Sequence, residues 1–336
     1  MTALPLMQLA GGFWSFKTLA GAVEIKLFDR LAGGRHLTVQ ELADELGFAH
    51  RPTDLLVMAC ASLGLLDKQG DAYANSALAE EFLVPDKPRY FGGFVCYLDQ
   101  REYLAWHKLV TALRTNRPQS WNVDRQDNLF QAGDAVMEEL FWEAMHSASM
   151  STAHDLAAAY DFSPHKALLD IGGGSGAFPI VLTDHYPHLR AAVFDLPHVC
   201  PQTEAKIEKT GKKGSVTALP GDFRNDPALP GGFDVMLLSN ILHDWDEPTG
   251  RKLLAHIHQA LEPGGVLLIA ELLINPERTG PPSAALVGLN MLVETEGGKN
   301  YSEAELAQWL TDTGFTRVRT IPFEAVGANA VIIAEH

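Results

Sequence analysis

The spacing of apolar positions divides the chain into three stretches: residues 1–90, residues 91–160 and residues 161–336. In the first, short helical segments are followed by one hairpin signal. Thr38-Val39-Gln40-Glu41 has the form of a capping box, in which the Thr38 hydroxyl satisfies the Glu41 amide and the Glu41 carboxylate reaches back. A second helix is expected to begin near Thr53 in RPTDLLVMACASLG and to stop at Gly64. LGLLDKQGDAYA then reads as two short strands around Gln69-Gly70-Asp71. Helix, helix, hairpin is a winged-helix pattern. The middle stretch places Val136, Met137, Leu140, Phe141, Ala144, Met145 and Ala148 at helical spacing, which predicts one buried stripe.

In the third stretch strands alternate with helices. ALLDI, RAAVFD, SVTAL, FDVMLLS and GVLLIAE are short, nearly continuous apolar runs, the pattern of parallel strands buried on both faces. FTRVRTI and ANAVIIAEH offer two more. The expected fold class is α/β: an open Rossmann-like sheet with helices on both faces, preceded by a mainly helical winged-helix domain.

Composition narrows the function. With 46% hydrophobic and 20% charged residues, the 336-residue chain has the makeup of a folded globular protein. Its formal charge of −16 repels phosphate backbones and anionic lipid, so nucleic acid and membranes are not expected partners. The expected recognition helix carries only Arg51, at its entry, which favours a packing or dimerisation role over DNA reading. Cys60, Cys96 and Cys200 form neither a disulfide framework nor a zinc pair. No apolar run reaches membrane-spanning length, and no basic residue precedes the first apolar stretch, so a soluble cytoplasmic protein is expected.

Candidate chemistry gathers where the strands end. ALLDI leads into Gly172, Gly173, Gly174 and Gly176, a loop that lets backbone approach a ligand at a helix start. Asp195 ends the next strand, where an acid takes two ribose hydroxyls; loop and acid alone suit either NAD or S-adenosylmethionine. Asp222 and Phe223 end the third strand, suited to binding an adenine edge and covering its face. The fourth ends in Ser239 and Asn240, followed by His243-Asp244-Trp245-Asp246, which a nicotinamide enzyme has no reason to place there.

The run GGGSG, VFDLP, GDF, LHDW, LEPGG and LNMLVETEGG resembles the S-adenosylmethionine-dependent small-molecule O-methyltransferases, the family of the caffeate, flavonoid and acetylserotonin enzymes. The likeness covers nearly the whole chain. It implies an intertwined homodimer, S-adenosylmethionine as cofactor (leaving as S-adenosylhomocysteine), no metal, and a small aromatic or polyketide-like acceptor. By resemblance Gly172, Gly174, Asp195, Leu196, Asp222, Phe223 and Ser239 contact the cofactor, with Ser149 at its amino-acid end. His243 matches the catalytic base and Glu271 one of two acids flanking it. The second acid is replaced by Asn300, in GGKNYS, so either Glu271 alone orients His243 or Asn300 does so through its amide oxygen. Phe141, Trp142, Met145, Met150, Asn240, Asn290, Met291 and Glu294 fall where the family closes its acceptor pocket.

The physical case for His243 stands beside this likeness. Methyl transfer from a sulfonium needs the acceptor brought into line and its proton removed. A phenol with pKa of about 10 is scarcely ionised at neutral pH, and an imidazole is well poised to take that proton. Two other readings remain open. Relatives sharing this fold methylate carbon or nitrogen, or use the bound cofactor in hydroxylation or decarboxylation, and Asn300 keeps that class in view. The other is a winged-helix regulator sensing a small ligand.

Overall fold

The computed structural model describes residues 1–124, 126, 129–130 and 135–336, with the side chains of all of these except 135–137. Its contacts divide the chain into two compact units, Met1–Tyr103 and Leu104–His336.

The first unit is built of short helices and a three-stranded sheet. The helix Val39–Leu46 opens with the expected capping box: the Glu41 amide donates to Thr38 Oγ1 at 3.3 Å, and the Thr38 amide to Glu41 Oε2 at 2.8 Å. The next helix, His50–Ser62, begins three residues before the expected Thr53. Pro52 lies in its first turn, where a missing N–H costs nothing, and Thr53 points its hydroxyl back to the Ala49 carbonyl at 3.0 Å. The hairpin strands Leu66–Gln69 and Ala72–Asn75 pair around Gly70-Asp71, and Leu37–Thr38 adds to the far edge. Leu27, Phe28, Leu31, Leu42, Val57 and Cys60 are fully buried beneath them. By contrast Leu4, Leu6, Leu9, Phe13 and Trp14, on the first two helices, are exposed within this one chain.

The second unit carries a seven-stranded sheet: β1 Ala167–Ile171, β2 Arg190–Asp195, β3 Val216–Pro220, β4 Phe233–Ser239, β5 Leu261–Glu271, β6 Thr316–Pro322 and β7 Ala330–Glu335. Their spatial order is β3-β2-β1-β4-β5-β7-β6. The first five are parallel, while β7 runs antiparallel to both β5 and β6. All seven fall on the stretches expected, the edge strand β6 being largely exposed. Burial of the central strands explains their legibility: Leu168, Leu169, Val193, Val235 to Leu238, and Leu267 to Ile269 have almost no exposure, so no polar alternation is tolerated. Apolar clusters lie on both faces of the sheet. The strand order reverses between β1 and β4, and open sheets bind ligands at the carboxyl ends beside such a reversal.

The helix Ala135–Ala159 covers the predicted stripe. Of its described members only Ala144 is buried; Leu140, Phe141, Met145 and Ala148 are half-buried, and the Val136 and Met137 side chains lie outside the described residues. The expected single buried stripe is therefore incomplete. Full burial instead comes further along, at Ala153 and Leu156.

Candidate active site

The loop after β1 turns on glycines in the left-handed region, with φ of 68° at Gly172, 55° at Gly174 and 79° at Gly176. Side chains crowd it. A Cβ on Gly172 would fall 2.5 Å from Ile241 Cδ1, and one on Gly174 3.2 Å from the Trp142 ring. Asp195, at the end of β2, accepts the Gly174 amide on Oδ2 at 2.8 Å and the Leu196 amide on Oδ1 at 2.6 Å. Burial pushes its carboxyl up to about 6, against the pull of those two amides. Asp170, under the loop at the end of β1, is pushed up to about 8 by burial and then by the charge of Asp195. Its Oδ2 has no hydrogen-bond partner, and neither has the Ser239 hydroxyl at the end of β4. Two buried oxygens left unpaired at adjacent strand ends are the kind of groups a bound ligand satisfies.

Beyond β3, Asp222 accepts from the Arg224 amide and guanidinium at 3.0 and 3.1 Å and from Asn225 Nδ2 at 2.8 Å. Burial acts to raise its pKa, but these bonds outweigh it and hold the carboxyl below its ordinary value. Phe223 meets Trp245 edge-on, ring centres 5.9 Å apart, and Phe130 lies 5.9 Å from Trp245 and 6.1 Å from Phe141. Phe141 in turn packs edge-on against Trp142 at 4.9 Å. Five rings thus run from the turn after β3 to the glycine loop. A cavity of about 390 Å³ opens beside them, walled in part by Trp121, Phe130, Phe223, Trp245 and Asp244.

His243 sits in a one-turn 3₁₀ helix just past β4 and is 9% exposed. Its Nδ1 lies 3.2 Å from Glu271 Oε2, an ion-pair contact without the alignment of a hydrogen bond, and its Nε2 lies 3.5 Å from Asp244 Oδ1. Burial acts to lower the imidazole pKa, but the two carboxylates outweigh it and raise the ring to about 9. Asp244 is raised to about 7, by burial first. Glu271, 3% exposed at the end of β5, also accepts the Ile241 and Leu242 amides on Oε1 at 3.0 and 2.9 Å. The segment Thr295–Tyr301 braces the turn from below. The Tyr301 hydroxyl donates to the Trp245 carbonyl at 2.7 Å, and a Cβ on Gly298 would fall 2.4 Å from the His243 carbonyl oxygen.

Asn300 turns its amide nitrogen to the Leu272 carbonyl, which leaves its Oδ1 buried without a hydrogen-bond partner. The acids facing the ring are therefore Glu271 and Asp244, and the Asn300 oxygen makes no bond to His243. Apart from Asn240, the residues expected at the acceptor site fall on two helices, the first of which also carries Ser149, expected at the cofactor. Phe141, Trp142, Met145, Ser149 and Met150 are half-buried on Ala135–Ala159. Asn290, Met291 and Glu294 lie on Pro282–Glu294, where Asn290 Oδ1 accepts from Trp106 Nε1 at 2.6 Å and the Glu294 carbonyl accepts from Trp121 Nε1, also at 2.6 Å. Asn240 adopts φ of 53° and packs its amide where a side chain on Gly327 would stand, 2.5 Å away.

Sequence reasoning passed over Asp170, Trp121, Gly298 and the pair His146–Ser175. Nothing local marks Trp121; Ser175 and Gly298 lie within GGGSG and LNMLVETEGG without being singled out, Asp170 stands one residue from the glycine loop and His146 lies one helical turn from Trp142. Among the described residues no group of three or more His, Cys, Asp or Glu is arranged to hold a metal, and no helix is long and apolar enough to cross a membrane.

Residues 106–316 match the O-methyltransferase domain and residues 7–85 the O-methyltransferase dimerisation domain. The chain is 43% identical to 3-hydroxy-5-methyl-1-naphthoate 3-O-methyltransferase of Streptomyces sahachiroi, over 97% of its own length and 93% of that protein. It is 36% identical to the tetracenomycin polyketide synthesis 8-O-methyl transferase TcmO of Streptomyces glaucescens, over 94% and 92% respectively. The crystal structure of human N-acetylserotonin methyltransferase in complex with S-adenosylmethionine superposes with a TM-score of 0.83 at 28% identity, covering 100% of this chain and 98% of that one.

Proposed function

The chain belongs to the O-methyltransferase family, and from that premise we propose that it transfers a methyl group from S-adenosylmethionine to a hydroxyl of a small aromatic, naphthoate- or polyketide-like acceptor, with His243 as general base. The observation that carries this reading is the His243–Glu271 contact at the carboxyl ends of β4 and β5, beside the glycine loop. The residues present fit the cofactor. Asp170 Oδ2 and Ser239 Oγ, both without hydrogen-bond partners, would meet its polar groups, and Asp195 would take its ribose hydroxyls.

When bound, S-adenosylmethionine supplies a methyl group already activated by its sulfonium charge. The protein's part is alignment and proton removal. Glu271 holds the ring through Nδ1, so that the neutral imidazole presents Nε2 as the proton acceptor, and stabilises the imidazolium once the proton has arrived. The aromatic run from Phe223 to Trp142 supplies flat apolar wall for cofactor and acceptor and excludes water. Leu4, Leu6, Leu9, Phe13 and Trp14, exposed in a single chain, form the seam of a homodimer, in keeping with the dimerisation-domain match.

Calorimetric titration with S-adenosylmethionine, S-adenosylhomocysteine and NAD tests the cofactor, with Asp195→Ala as control. Binding of both adenosyl ligands, lost in the variant and absent for NAD, is expected; binding of NAD alone overturns the assignment. A screen of hydroxylated naphthoates and polyketide phenols then tests the acceptor class, and near-wild-type turnover by His243→Ala would refute the base.

A further inference from the structure

The helix Ala135–Ala159 brings Trp142, His146 and Ser149 to one face, since positions four and three residues apart stack along a helix. That face meets the glycine loop at two successive turns. The Trp142 ring lies over Gly174, and His146 Nδ1 is 2.7 Å from the Ser175 hydroxyl. Ser175 is 6% exposed and belongs to the loop itself, between two glycines in the left-handed region. A glycine-rich loop gains its reach at the expense of rigidity, because its residues have many conformations to lose on ordering. Other bonds already hold this one: the Thr203 hydroxyl donates to the Gly174 carbonyl at 2.6 Å, and the Gly174 amide to Asp195. Ser175 is held by His146.

We propose that His146 is a positioning residue of the cofactor site: through Ser175 it locks the glycine loop, together with Trp142 over Gly174, in the shape that receives S-adenosylmethionine. This rests on the reading of the loop as the cofactor site. The choice of imidazole has a physical reason. The ligand is cationic, and a lysine or arginine tether would set a like charge beside it. Burial, then the charges of Lys206 and Lys209, hold His146 down to about 4 against the opposing pull of Glu143, so the tether is neutral at working pH. A neutral ring bonds the hydroxyl in either tautomer, as donor or as acceptor at Nδ1.

The test is the dissociation constant for S-adenosylhomocysteine, measured by calorimetry on the full-length protein, for wild type, His146→Leu, His146→Asn, Ser175→Ala and the Leu/Ala double variant. Asn places a hydrogen-bonding atom close to the position of Nδ1 and is expected to bind like wild type. His146→Leu and Ser175→Ala are each expected to weaken binding about tenfold, the loss of one neutral hydrogen bond. The double variant should be no weaker than either alone, since both remove the same tether. In turnover, KM for the cofactor should rise while kcat and KM for the acceptor stay unchanged, a split that general destabilisation does not produce. Wild-type affinity in Ser175→Ala, or additive losses in the double variant, overturns the proposal even if the leucine variant fails to fold. Failure of wild type itself to bind the ligand would instead overturn the cofactor reading beneath it.

Discussion

Glu271 divides its carboxylate between the His243 ring and the backbone that carries that ring. Oε2 stands 3.2 Å from Nδ1, while Oε1 accepts the Ile241 and Leu242 amides at 3.0 and 2.9 Å. One side chain thus touches both the imidazole and the backbone of its turn.

Two substitutions separate those contacts. Glu271→Gln keeps an oxygen for the amides but offers Nδ1 an N–H, which favours the tautomer with the proton on Nε2, where a base cannot use it. Turnover is expected to fall by roughly 10²–10⁴-fold with little change in melting temperature. Glu271→Ala also strands two buried amides, at about 1–3 kcal/mol each, and should melt lower. Turnover of the glutamine variant within a few-fold of wild type would exclude the orienting role.

The pH dependence of activity follows from the raised imidazole. Only the neutral ring is a base, and with a pKa of about 9 its share at pH 7 is about one part in a hundred. In free enzyme kcat/KM should therefore climb nearly tenfold per pH unit and level off above about 9. A profile flat between about pH 7 and about pH 9 would contradict it.

Stability should move the opposite way. The folded value lies above the ordinary 6.5, so the contribution of the charged ring is full below 6.5 and is lost as pH rises through about 9. The difference in melting temperature between wild type and His243→Gln should shrink over that window in a thermal-melt series. A difference that grew with pH would mean the ring is held neutral.

Gly298 is a third point of control. A methyl group there would stand 2.4 Å from the His243 carbonyl oxygen and 2.5 Å from Thr295 Oγ1, so the backbone of the turn must shift. Gly298→Ala is expected to cut turnover about 10²-fold, the usual effect of displacing a catalytic group by about an ångström, with affinity for S-adenosylhomocysteine retained. Equal losses in both would point to collapse of the unit instead.

The exposed apolar helices at the start of the chain make a separate prediction. Placing a charge at Trp14, 57% exposed in one chain, should convert a homodimer to monomers. Light scattering of wild type and Trp14→Glu checks this, and a wild type already monomeric at micromolar concentration would remove the homodimer.

The central strands were readable because they are buried on both faces and admit mostly apolar residues, whereas the edge strand Thr316–Pro322 is largely exposed and carries Arg317 and Arg319. The capping box at Thr38 and Glu41 was readable because it lies wholly within four residues. The early start of the helix at His50 was not, since Pro52 looks like a breaker until its place in the first turn is known. The pairing of His243 with Glu271 lay between these cases. Both residues end neighbouring apolar runs, so an adjacent-strand sheet brings them together, but the division of Glu271 between ring and amides needed the fold.

What the sequence determined by itself was local or strictly patterned: element types, strand ends, and a glycine loop followed by acids and a histidine at those ends. What only the tertiary structure decided was contact between residues far apart in the chain. His146 is one of 13 histidines, and no pattern near it tells of Ser175, 29 residues on. Gly298 lies within the run LNMLVETEGG, but its need to lack a side chain arises only where its loop passes beneath His243. Periodicity records which face of a segment is buried; it carries no record of which distant segment does the burying.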